Sequence, residues 1–128
     1  MISNIVPNAK LSPRIENGVI YAVEGDTFTL TFEMDMYDGD DEPVVIDGGT
    51  FYFKILSERE ETCFSSTISE FVQPEEGDLP NAVFLPISIT AETAALMPKG
   101  KYHYTIRYDS GNPVQKRTML YRDLWIVE

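Results

Sequence analysis

Histidine, cysteine and clustered carboxylates are the side chains that most often do chemistry, and this chain carries few of them. His103 is the one histidine and Cys63 the one cysteine among 128 residues. No common transition-metal set can be completed from those two, and a general base needs a partner to orient it. His103 falls on the polar phase of Lys101-Tyr102-His103-Tyr104-Thr105, which places it on the outer side of a strand. A Ser-His-Asp triad is arithmetically available, but no G-x-S-x-G elbow supports one. Cys63 precedes Phe64 in a β-prone run. It reads as a small buried thiol, with neither a base nor a helix N-terminus to activate it.

Asp38, Asp40, Asp41 and Glu42 form an acidic loop. Carboxylates at i, i+2 and i+3 can converge on a hard cation. The D-x-D opening fits a calcium loop, but position 12, where an EF-hand needs Glu, is Gly49. The same residues favour turns without any metal, so the sequence leaves calcium binding at this loop open. Tyr102, Tyr104, Tyr108, Tyr121 and Trp125 are the aromatic residues of a potential sugar platform. Most are in phase with inward positions, so they read as core, with Tyr102 or Tyr104 as the tyrosine of a sheet corner. Glycine-rich phosphate loops are absent. No catalytic, cofactor-binding or metal-ligating residue is assigned, and the chain reads as non-enzymatic.

These side chains ride on extended elements. Phe28, Leu30, Phe32, Met34 and Met36 alternate with Thr27, Thr29, Thr31, Glu33 and Asp35, the pattern of a strand dry on one face and wet on the other. Val19–Glu24, Thr50–Leu56 and Thr62–Val72 read as further strands, the last as an edge. Val83, Leu85, Ile87 and Ile89 mark another, with Pro86 in its middle. That proline must turn its nitrogen toward an edge or bulge. Thr90 caps a short turn, Ala91–Leu96, which Pro98 and Gly100 end. Lys101–Asp109 follows, then a Ser110–Pro113 hairpin loop and a last extended segment, Val114–Glu128. Arg122-Asp123 interrupts its alternation, which predicts a bulge there. The expectation is an all-β, immunoglobulin-like antiparallel β-sandwich of seven to eight strands with one short helical turn. Residues 1–17 read as an N-terminal arm or edge strand and residues 18–128 as a single sandwich domain.

A formal charge of −11 repels phosphate backbones and anionic membranes, so neither nucleic acid nor membrane is an expected partner. Residues 1–64 hold 13 acidic and 4 basic side chains, and residues 65–128 hold 8 and 6. Such asymmetry suits head-to-tail stacking as well as simple solubility. No apolar run reaches the length of a membrane span, and the N-terminus lacks the layout of a signal peptide. The chain reads as cytoplasmic at synthesis.

Three stretches look familiar together. They are VEGDTFTLTFEM (Val23–Met34), DGDDEPVVIDGGTFYFKI (Asp38–Ile55) and LPISITAETAALMPKGKYHYTIRY (Leu85–Tyr108). They resemble small phage and prophage structural proteins, including the N-terminal immunoglobulin-like domain of the baseplate upper protein family. Ile46-Asp47 is shifted against that family's Asp-Leu, Gly49 replaces its usual Ala, and Thr105 stands where Asp is frequent. The resemblance implies a virion structural or assembly protein of a tail, baseplate, neck or fibre attachment. It would act by protein–protein contacts with itself or other virion proteins, and end in the virion. Met1–Asn17 and Val114–Glu128 are the segments that would cross to a neighbour or complete their own sheet. The alternative is a carbohydrate- or cell-surface-binding module, with Trp125 or Tyr52 exposed in a groove.

Overall fold

Alternating runs in the sequence become paired strands in the computed structural model, which describes residues 13–38, 40–46, 48–72, 74–109 and 116–128, with 116–121 as backbone. The elements are β1 (Arg14–Glu16), β2 (Val19–Val23), β3 (Phe28–Asp35), β4 (Thr50–Ser57), β5 (Thr62–Ile68), β6 (Ala82–Ile89), α1 (Ala91–Ala95), β7 (Gly100–Asp109) and β8 (Lys116–Val127). Six strands make a large sheet in the order β1-β2-β8-β7-β4-β5, and β3 and β6 make a small one. The two sheets pack as a sandwich, so the chain is all-β apart from one short helix. Neighbours β8-β7-β4-β5 take the order of the G, F, C and C′ strands of an immunoglobulin-type sheet.

One pair departs from the antiparallel expectation. β2 runs parallel to β8, with Ile20 beside Leu124 and Tyr21 beside Trp125. Parallel neighbours need a long connection, and these strands lie near opposite ends of the chain, so the constraint is met. The predicted bulge at Arg122-Asp123 is also corrected. Those residues pair regularly with Tyr104 and His103, and the shift comes earlier, between Ile106 opposite Leu120 and Arg107 opposite Thr118. Arg122 falls on the inward phase yet is exposed, with its stem lying against Gly18. A Cβ there would lie 3.5 Å from Arg122 Nε, so the arginine stem passes over the β1–β2 turn. The Ser110–Pro113 loop and the first twelve residues lie outside the described residues.

The core lies between the sheets. Val83, Leu85, Ile87 and Ile89 of β6 meet Phe51, Phe53 and Ile55 of β4 and Tyr104 and Ile106 of β7. Phe32, Phe53 and Tyr104 form an aromatic trio with centroids 5.5–5.8 Å apart. Thr90 caps α1, its Oγ1 accepting from the Thr93 N–H. α1 then delivers the chain to β7, where Tyr102 Oη donates to the Pro98 carbonyl at 2.6 Å. That bond, four residues back across the corner, makes Tyr102 the corner tyrosine. Tyr104 instead reaches the opposite end of the chain and donates to the Gly18 carbonyl.

Burial raises both phenols above the ordinary value near 10, with nearby Cys63 and Glu24 adding to the effect at Tyr102 and Arg122 opposing it at Tyr104. The unfolded chain therefore releases these protons first, so stability is complete below about pH 10 and falls as pH climbs past it. Urea midpoints taken from pH 8 to 11 are expected to drop across that upper range. Tyr102→Phe and Tyr104→Phe together should flatten the drop.

Candidate interaction face

The outer side of the large sheet collects polar and aromatic residues in rows set by register. One row reads Arg14, Tyr21, Trp125, Lys101 across β1, β2, β8 and β7. The Arg14 guanidinium lies 4.8 Å from the Tyr21 ring centroid and the Lys101 ammonium 5.5 Å from that of Trp125. A cation thus flanks each aromatic ring. Val23 and Val127 pair on the same face, both partly exposed, as is Trp125. An open depression beside Trp125 is lined by Lys99, Gly100, Ile126, Val127 and Glu128. Lys99 Nζ meets Glu128 Oε1 there at 2.7 Å.

The next row holds Asp123, His103 and Leu56. His103 Nδ1 donates to Asp123 Oδ1 at 3.1 Å, and Lys101 Nζ lies 3.8 Å from Asp123 Oδ2. The histidine is half-buried on the polar face, as its phase predicts, and its carboxylate partner comes from the neighbouring strand. Among the described residues, no three His, Cys, Asp or Glu side chains converge to hold a metal ion. The pair orients an imidazole on an open sheet face.

The other singled-out residues serve the scaffold. Asp38 Oδ1 accepts from the N–H groups of Asp40 at 2.8 Å and Glu42 at 3.1 Å, and the Asp38 N–H donates to the Glu42 carbonyl. This carboxylate closes its own loop as an Asx-turn does. Cys63 is the extra residue of a bulge, since Ile55 pairs with Phe64 and Leu56 with Thr62. Burial raises its thiol above the ordinary value, with the Ser57 backbone opposing and Glu61 reinforcing the shift, so the reactive thiolate is disfavoured. Tyr108 packs on Phe51 at 4.7 Å and donates to the Gly48 carbonyl. Tyr52 lies half-buried on the outer face, and the Tyr121 side chain lies outside the described residues.

No protein-family model, curated protein or solved structure matches the chain. Among the described residues, no helix is long and apolar enough to cross a membrane. Sequence reasoning missed the Arg14–Tyr21–Trp125–Lys101 row. Its members are distant in sequence, and only the parallel β2–β8 register sets Tyr21 beside Trp125.

Proposed function

We propose that the chain is a non-enzymatic structural or assembly protein of a phage or prophage virion, acting through protein–protein contacts. The observation that carries this reading is the outer-face patch of Tyr21, Trp125, Val23 and Val127, with Arg14 and Lys101 held over the rings. Tyr, Trp and Arg are the residues that anchor protein interfaces. A broad sheet face suits a protein surface better than a small substrate. The stretches that resemble phage structural proteins support the same reading. Their distinctive residues act here as turns and a corner, at Gly25-Asp26, Gly48-Gly49 and Tyr102.

The test is to purify particles from the source cell and assay them for this chain by mass spectrometry. The chain is expected in the particles at defined stoichiometry. Its absence overturns the reading. Trp125→Ala should leave the fold intact, since the ring is partly exposed, and lower incorporation by about tenfold or more, as for an interface anchor.

The depression beside Trp125 favours a second reading, a glycan-binding module. Soluble glycans titrated against the single tryptophan separate the two. Saturable quenching that Tyr21→Ala abolishes, with no chain in particles, selects the glycan reading.

A further inference from the structure

A sheet edge with unpaired N–H and C=O groups is a template for another strand, and folded proteins block most such edges. Three of the four edges here are blunted. β1 is three residues long, and β5 carries the Cys63 bulge. β6 carries Pro86, and its Phe84 already exchanges hydrogen bonds with Val72. β3 differs. It is eight residues long, regular and free of proline, and among the described residues β6 is its one partner.

The geometry shows which groups β3 leaves open. The Met36 N–H donates to the Asn81 carbonyl on the β6 side. Backbone direction alternates along a strand, so the even-numbered residues of β3 face β6. Thr29, Thr31, Glu33 and Asp35 turn their N–H and C=O groups away from β6, to the edge that has no partner among the described residues. The Phe84–Val72 bonds give the same phase for β6: Phe84 pairs with Glu33, and both point away from the shared ladder. The core beneath β3 is the less covered half of the small sheet. Phe28, Leu30 and Phe32 are partly buried, whereas Val83, Leu85, Ile87 and Ile89 on β6 are at most 3% exposed.

We infer that β3 pairs antiparallel with β3 of a second copy, joining two small sheets into one four-stranded sheet across a two-fold axis. This rests on the assembly reading above. In the register centred on Thr31, Thr31 faces its own counterpart, Thr29 faces Glu33 and Thr27 faces Asp35. No two carboxylates oppose each other, and the odd-numbered N–H groups all find carbonyls. On the inner side Leu30 comes opposite Phe32, and Phe28 opposite Met34. These pairs cover the half-buried core residues. Each chain carries −11, so added salt favours the contact.

Light scattering of the full chain across concentration and ionic strength tests this. The expected mass is twice the 14.5 kDa of one chain, increasingly so at higher salt. Thr31→Pro removes an N–H that β6 does not use, and puts on β3 the device Pro86 gives β6. It should abolish the dimer while the thermal midpoint of the monomer holds. Thr29→Lys places a cation opposite Glu33 and should tighten the dimer, whereas Thr29→Glu should weaken it. The same two changes at Ser88, the outward neighbour of Thr29 on β6, control for net charge and should have smaller effects. A dimer insensitive to Thr31→Pro, or equal effects at Thr29 and Ser88, overturns the edge contact. So does a strict monomer under all conditions. None of these results touches the virion reading, which the particle assay decides alone.

Discussion

Replacing Gly49 with alanine is expected to destabilise the protein by about 3 kcal/mol, the sum of backbone strain and a steric clash. Gly49 sits at φ +95°, a conformation that side chains with a Cβ rarely adopt. A Cβ there would lie 2.6 Å from the Asp109 carbonyl and 2.6 Å from Tyr108 Oη. The carbonyl is backbone of β7 and cannot step aside. Displacing Tyr108 would break its bond to the Gly48 carbonyl and its packing on Phe51. The change thus strikes the entry to β4 and the end of β7 together. Chemical denaturation should show a lower midpoint with an unchanged slope, and thermal scans a midpoint about 10 °C lower. Gly25→Ala is the control. It also has a positive φ, but a Cβ there meets nothing within 4 Å, so only the strain remains.

Tyr104→Ala is expected to cost about 4 kcal/mol, within the range for removing a buried aromatic side chain. Tyr104 is 1% exposed and is among the largest fully buried residues. Its ring contacts Phe32 and Phe53, and its hydroxyl satisfies the Gly18 carbonyl. Truncation opens a cavity between the sheets and releases the β1–β2 turn from β7. Against a total stability of about 5–15 kcal/mol for an ordinary domain, the variant should be largely unfolded near physiological temperature. Tyr104→Phe keeps the ring and loses the hydrogen bond alone, at about 1–2 kcal/mol. The gap between the two variants measures packing against bonding. Equal losses would show that the hydroxyl, rather than the ring, holds the two ends of the chain together.

The two predictions differ in how visible their causes are in the sequence. Tyr104 belongs to an alternating run whose period of two places Tyr102, Tyr104 and Ile106 on one face, and all three are buried. Gly49 is one of several glycines in turn-like surroundings. Its constraint comes from Asp109 and Tyr108, which only the pairing of β4 with β7 brings beside it. The bulge illustrates the same limit. Arg122 breaks the apolar alternation, yet the strand stays regular there, with the arginine stem lying against Gly18 of the β1–β2 turn. A pattern read along one strand cannot contain the neighbours its side chains meet.

Local chemistry alone determined the strands, the capped turn Thr90–Leu96, the outward phase of His103 and the edge-facing nitrogen of Pro86. Each depends on alternation, backbone geometry or a hydrogen bond within a few residues, and such terms act before distant parts of the chain meet. The tertiary structure decided which strands became neighbours. It set Tyr21 beside Trp125, gave His103 the Asp123 carboxylate, and left β3 as the long edge without a blocking device among the described residues. Those outcomes turn on register between segments far apart in sequence, where the energy comes from the fit of two surfaces and neither surface records the other.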